Sequence, residues 1–197
     1  MPAGGGPRRK NSATTNGICG NSTAPRGRPP VGIALPEVEE IDCRGGTRPD
    51  CYLDAAANKM YILLASPSMT PTQFLRLSYS DTAWHIDAGF PVELSNFVFS
   101  GESGNVLAKA KNGDLWAFRY KASTIEGKRS SDDGQTWSPT FIVKSNLFTS
   151  GVCDAVAFTS GGENFIGVGY SENTSRTGKF GFLLHRDGEA EDNWTDE

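Results

Sequence analysis

Short apolar runs separated by turn residues dominate the chain from residue 37 onward. Runs of this length, rich in β-branched and aromatic residues, predict β-strands. They cover residues 61–65, 74–77, 106–110, 115–120, 141–143, 152–158, 165–170 and 180–184. Asn, Asp and Gly residues between them, at 58–59, 111–114 and 160–163, predict hairpin turns. No segment keeps a helical period over three turns, so the pattern predicts an all-β fold of antiparallel hairpins.

The same arrangement repeats along the chain. Three tryptophans are spaced by 53 and 57 residues, and an arginine stands eight residues before each of them: Trp84, Trp137 and Trp194, with Arg76, Arg129 and Arg186. A hairpin precedes each arginine, and a third strand and a turn lead to each tryptophan. A fourth strand follows at 90–94 and 141–143. The third unit is expected to lack a fourth strand, because the chain stops soon after Trp194.

Four antiparallel strands in about 50 residues are typical of one blade of a β-propeller. The repeat therefore predicts about three blades, near residues 47–97, 104–148 and 151–197. Closed propellers have about four to eight blades, and an open sheet face is an aggregation hazard. We therefore expect a partial propeller, which is a fragment of a larger protein or closes by self-association.

Charge is unevenly distributed over the 197 residues, whose net charge is −4. Residues 1–36 carry five basic groups and no acidic group, are rich in Gly, Pro and Ser, and predict a disordered basic tail. No apolar stretch has the length of a signal-peptide core or of a membrane span. The small acidic net charge weighs against a nucleic-acid partner. Cys43 and Cys51 could form a disulfide in an exported chain, with free thiols as the alternative, and no cysteine–histidine pattern indicates a metal or another cofactor.

One turn carries a specific motif. Residues 130–137 read SSDDGQTW, in which Asp132 can accept turn N–H groups, Gly134 can take a positive φ, and Trp137 can insert between sheets. This sequence resembles the Asp-box of BNR repeats, found in sialidases and related propellers. The equivalents before Trp84 and Trp194 are degenerate. The resemblance implies a purely structural turn, made by Ser130, Asp132, Gly134, Thr136 and Trp137, on the face away from any ligand.

The resemblance to sialidases also implies where chemistry would lie. Sialidases clamp a carboxylate with three arginines and use a tyrosine nucleophile paired with a glutamate, and arginine suits a carboxylate because its fork binds both oxygens. The family's Arg-Ile/Leu-Pro element is absent here, since Arg48 is followed directly by proline. Tyr120 and Glu126 are the candidates for catalysis by residue type alone. Arg48, Asp50, Arg119 and Tyr170 are the candidates for ligand binding, because they fall near the predicted loops of one propeller face.

Three functions follow from this sequence. The first is a sialidase-like propeller that recognises a glycan or glycoconjugate without catalysis. The second is a fragment of an active exo-glycosidase, and the third is a structural or protein-binding propeller. The family resemblance favours an extracellular or cell-surface location, although no signal peptide is visible.

Overall fold

The computed structural model describes residues 49–66, 69–97, 105–148, 151–172 and 178–197. These residues lie within one compact unit of the chain, Ile33–Glu197. The predicted tail at 1–36 lies outside the described residues, as does Cys43 of the predicted Cys43–Cys51 disulfide, whereas Cys51 lies within them. Within the described ranges every regular element is a β-strand, so no helix there is long and apolar enough to cross a membrane.

The described strands form three antiparallel sheets of consecutive strands. Sheet 1 contains β1 (Asp50–Asp54), β2 (Lys59–Ser66), β3 (Met69–Ser80), β4 (Ala83–Ile86) and β5 (Val92–Leu94). Sheet 2 contains β6 (Asn105–Lys109), β7 (Leu115–Lys121), β8 (Thr124–Ser130) and β9 (Phe141–Lys144). Sheet 3 contains β10 (Gly151–Ser160), β11 (Glu163–Glu172), β12 (Lys179–Arg186) and β13 (Thr195–Asp196). The all-β prediction is confirmed, and every predicted strand lies within one of these elements or overlaps it.

Two details differ from the sequence prediction. Sheet 1 has five strands, because β4 and β5 both pair with β3, β4 at residues 77–80 and β5 at residues 72–74. The expectation that the third unit lacks a fourth strand is wrong, since Thr195 and Asp196 pair with β12. Only two residues are needed to begin that strand, and sequence patterns do not detect so short an element.

The repeat extends to the register of the strands. Each repeated arginine lies directly opposite an aromatic residue on the neighbouring strand: Tyr61 faces Arg76, Trp116 faces Arg129, and Phe165 faces Arg186. Directly opposed residues lie on the same face of a sheet. The three units are therefore built alike and not merely spaced alike.

Sheet 2 is covered on both faces. One apolar cluster joins Tyr61, Leu63 and Phe74 of sheet 1 to Leu107, Leu115 and Ala117 of sheet 2. A second cluster joins the opposite face of sheet 2, which carries Trp116, Phe118 and Tyr120, to Ile166, Val168 and Leu183 of sheet 3. Alternation along each strand puts successive side chains on opposite faces, which is why sheet 2 serves both cores.

Candidate functional site

The first strands of the three sheets run side by side in the same direction. Leu107 N–H of β6 donates to Asp50 Oδ2 of β1 over 2.7 Å, and the ammonium of Lys109 donates to Asp54 over 2.9 Å. A cavity of about 500 Å³ lies along these strands, and its lining includes Tyr52, Asp54 and Ala155. The edge at which β1, β6 and β10 begin is therefore common to all three sheets, and we call it the starting edge.

Asp50 lies at the starting edge and is half-buried. Its two carboxylate oxygens accept the N–H groups of Leu107 and Cys51. Burial is the main cause that raises the pKa of Asp50, and the charge of Asp154 on β10 adds to it. Asp154 itself is exposed, so this edge presents two carboxylates, one from β1 and one from β10.

Arg119 lies between sheets 1 and 2, with only 2% of its surface exposed. Its Nε donates to Glu126 Oε2 over 2.7 Å, its Nη2 donates to the same oxygen, and Nη2 also donates to the carbonyl of Asn96 over 2.9 Å. The guanidinium stacks on the ring of Phe97 at 4.5 Å. Because it is buried and bonded in this way, Arg119 can contact a ligand carboxylate only after the ion pair opens.

Tyr120 and Glu126 are not brought together. Glu126 is the cross-strand partner of Arg119, so the two share a face of sheet 2. Tyr120 is the next residue along β7 and projects from the opposite face. Its hydroxyl donates to the carbonyl of Phe148 over 2.7 Å, and its ring packs against Gly151 at the start of sheet 3.

The other two ligand-binding candidates give contrasting results. Tyr170 lies near the end of β11, is 9% exposed, and its ring covers Gly181 of β12. Its ring therefore belongs to the core between sheets 2 and 3. Arg48 lies outside the described residues, as do residues 67–68, 98–104, 149–150 and 173–177, which connect strands of the three sheets.

Lys128 is a buried cation that the sequence did not single out. It shares a face of sheet 2 with Arg119 and Glu126, and its ammonium donates to the carbonyl of Ser138 over 2.7 Å. Burial, and secondarily the charge of Arg119, lower the pKa of Lys128. The motif and repeat patterns give no signal for it, because lysine within a strand is common on solvated faces.

The box turn, residues 130–137, is held by its own side chains. Asp132 Oδ1 accepts Thr136 N–H at 2.8 Å and the Ser130 hydroxyl at 2.8 Å, while the Ser130 oxygen accepts Gly134 N–H at 2.9 Å. Gly134 has a φ of +89°, a backbone conformation that residues other than glycine rarely adopt. Trp137 packs edge-on against Phe74 of sheet 1, with ring centroids 5.1 Å apart.

Asp133, a variable position of the box, joins sheets 1 and 2. Its carboxylate accepts the Tyr61 hydroxyl at 2.6 Å, Arg76 at 3.0 Å, and the ammonium of Lys59. Burial opposes ionisation, yet the hydrogen bonds from Lys59 and Tyr61 hold the pKa of Asp133 below its usual value. Burial and the bond to Asp133 together raise the pKa of Tyr61 to about 12. No local sequence pattern signals this network, because its members lie up to 74 residues apart.

Comparison with known proteins identifies the fold. No protein-family model and no curated protein matches the sequence. Solved structures of NanB match the chain. The structure of NanB with Optactamide matches with a TM-score of 0.55 and 12% sequence identity, and that of the K499G mutant of the NanB sialidase from Streptococcus pneumoniae with 0.53 and 14%. The structure of the same sialidase with 2-[(3-chlorobenzyl)ammonio]ethanesulfonate matches with a TM-score of 0.52 and 15% identity. The matches cover 73%, 75% and 77% of this chain but only 22% to 23% of the NanB chains. The chain therefore has a sialidase-like, all-β fold and spans less than a quarter of the length of these sialidases.

Proposed function

We propose that the three sheets are consecutive blades of a β-propeller of sialidase type. Three observations support this arrangement: the register-level repeat of aromatic and arginine residues, the parallel course of β1, β6 and β10, and the similarity to NanB. In a propeller the first strand of each blade lines the central axis. The starting edge would then be one mouth of that axis, and the box turn would lie on the opposite side.

We further propose that the starting edge recognises a carbohydrate and does not hydrolyse sialosides. Exposed or half-buried carboxylates from two innermost strands, Asp50 and Asp154, carry this proposal, because carboxylates accept hydrogen bonds from sugar hydroxyls. Acidic groups at the mouth favour a neutral, hydroxyl-rich sugar over a carboxylated one, since like charges repel.

The absence of sialoside turnover is proposed from the geometry around Arg119. A carboxylate clamp needs a guanidinium that is open to the ligand, whereas this one is buried and paired with Glu126. A tyrosine nucleophile needs its activating carboxylate within hydrogen-bond reach. Tyr120 and Glu126 instead lie on opposite faces of sheet 2.

A glycan array probed with the labelled full chain tests recognition. We expect binding to neutral glycans, with Asp50→Asn and Asp154→Asn each weakening it about tenfold or more, which is the scale of one lost charge-assisted hydrogen bond. Asp192→Asn is the matched control, because Asp192 is an exposed carboxylate in the turn before Trp194. An array without any bound glycan, using folded protein, would contradict carbohydrate recognition and leave the protein-binding alternative.

A fluorogenic sialoside assay tests the proposal that the chain does not hydrolyse sialosides. We expect no turnover above the blank from the full chain. Turnover that Tyr120→Phe and Glu126→Gln both remove would overturn the proposal and establish an exo-glycosidase.

A further inference from the structure

The cavity along the first strands of the three sheets has the size of a small-molecule site. Its volume is about 500 Å³, and such sites typically measure about 300–1,000 Å³. Its lining includes Asp54 and Lys109, the last residues of β1 and β6, and the turn at 110–113. Asp54 stands four positions after Asp50, which is about 13 Å along an extended strand. The cavity is therefore distinct from the starting edge.

The free edge of β6 supplies backbone donors and acceptors to this cavity. Among the described strands β6 pairs with β7 alone, and successive residues of an antiparallel strand point their N–H and C=O groups toward and away from the partner. Leu107 points away from β7, because its N–H donates to the carboxylate of Asp50. Lys109 lies two positions further along β6 and has the same orientation. Its N–H and C=O groups therefore point toward the cavity that it lines, where they can bond to hydroxyl groups of a ligand.

Lys109 and Asp54 place a donor beside an acceptor in the cavity wall. Their ion pair measures 2.9 Å, and their side chains are 15% and 19% exposed. The Lys109 ammonium also donates to the Tyr61 hydroxyl over 2.9 Å, which leaves one of its three N–H donors for a ligand. One Asp54 oxygen accepts Lys109 and the other accepts Ala57 N–H, and each oxygen can accept a further bond. Because the two charges balance, this wall favours an uncharged ligand with hydroxyl groups.

The remaining lining is aromatic or apolar. Tyr52 is half-buried and lies in the same wall as Asp54, because alternate residues of β1 share a face. The part formed by sheets 2 and 3 carries short side chains that leave the volume open: Ala108, Ala110, Ala155 and Ala157. An aromatic ring beside a few hydrogen-bonding groups suits a pyranose, which has an apolar C–H face and a rim of hydroxyl groups.

We propose that this cavity binds a neutral mono- or disaccharide. The hydroxyl groups of the sugar bond to Asp54, to Lys109 and to the free edge of β6, and one sugar ring stacks on Tyr52. This second site lies between β1, β6 and β10, and it does not rest on glycan recognition at the starting edge.

Titration of the isotope-labelled full chain with D-glucose and with maltose, followed by amide resonances in two-dimensional NMR, tests this site. We expect the shifts to concentrate at residues 107–113 and 155–157. Tyr52→Leu and Asp54→Asn are each expected to raise the dissociation constant about fivefold or more, the scale of one lost ring contact or hydrogen bond. Tyr79→Leu and Asp192→Asn are the matched controls, because both side chains are exposed and lie outside the cavity lining. Circular dichroism confirms that each variant is folded.

The position of the shifts separates this site from the starting edge. Asp154→Asn is expected to leave the cavity shifts unchanged, whereas the proposed function expects it to weaken binding on the glycan array. A folded chain without cavity shifts at high sugar concentration, or with shifts that Tyr52→Leu and Asp54→Asn leave unchanged, overturns the inference. Tighter binding of glucuronate than of glucose also overturns it, because the site would then select a charged ligand. Cavity binding without array binding would support this site and contradict recognition at the starting edge, and array binding without cavity shifts would do the reverse.

Discussion

Replacement of Gly134 by alanine tests how the box turn packs on sheet 1. The residue is buried, has a φ of +89°, and lies against the ring of Phe74. A Cβ there would stand 2.8 Å from Phe74 Cζ and closer still to Cε1, so the ring or the turn must shift. Left-handed backbone costs an L-residue about 1–2 kcal/mol, and overpacking adds about 1–3 kcal/mol. The expected loss is therefore about 2–5 kcal/mol.

Gly188→Ala is the control for the backbone part of this loss. Gly188 lies in the corresponding turn of sheet 3 with a φ of +92°, and a Cβ there meets nothing within 4 Å. Its substitution is expected to cost only the left-handed term, about 1–2 kcal/mol. The difference between the two variants measures the contact with Phe74.

Urea denaturation followed by tryptophan fluorescence supplies both free energies of unfolding. A double-mutant cycle with Phe74→Leu completes the experiment, because the shorter side chain removes the ring atoms that the new methyl group meets. We expect Gly134→Ala to be less costly in the Phe74→Leu background, with a coupling of about 1 kcal/mol or more. Equal losses for Gly134→Ala and Gly188→Ala, with no coupling, would refute the packing of the box turn on Phe74.

Three further outcomes follow from the same structure. Asp132→Ala should lower the free energy of unfolding by about 1 kcal/mol and Trp137→Ala by about 3–5 kcal/mol, both without loss of glycan binding; loss of binding at unchanged stability would contradict a structural box. Because the pKa of Asp133 is lowered in the folded state, its ionised form stabilises the fold above the unfolded pKa of 3.8, and this stabilisation is lost as the pH falls below that value. In acid titrations the free energy of unfolding of Asp133→Asn should therefore decline less steeply than that of the unchanged protein. An equally steep decline would show that Asp133 does not contribute to the acid sensitivity. Burial raises the pKa of the Cys153 thiol to about 12, so native protein should react with a thiol reagent at this residue only on unfolding, as mass spectrometry of labelled peptides would show.

The strands could be predicted from the sequence because their apolar runs alternate with strong turn residues. The turn before Trp84 in sheet 1 differs from the sequence prediction. The sequence predicts a degenerate form of the box turn there, but Asp81 and Thr82 both adopt positive φ and close a two-residue hairpin. Trp84 consequently lies within a strand and faces away from sheet 2. The degenerate sequence of this turn indicates a departure from the box, but it does not indicate which face of the sheet the tryptophan occupies.

The geometry of the candidate site depends on which face of a strand each side chain occupies, and residue types alone do not reveal the face. Tyr120 and Glu126 are candidates for catalysis by residue type alone. The two-residue turn at Ala122 and Ser123 sets the pairing of Arg119 with Glu126, and this separates the tyrosine from the glutamate. The network of Asp133 could not be predicted at all, because its partners come from another sheet and no local pattern relates them.

The double coverage of sheet 2 has a consequence for the order in which the molecule opens. Each apolar cluster joins sheet 2 to one neighbour, so local opening of sheet 1 or sheet 3 removes one cluster and leaves the other. In arrays with such nearest-neighbour coupling, the central unit is the last to lose its protection. Six of the seven residues of β7 are buried, and its amides should therefore exchange with deuterium most slowly. Sheets 1 and 3 would open locally while β7 stays protected. The slowest exchange rates, those of the β7 amides, would then report global unfolding.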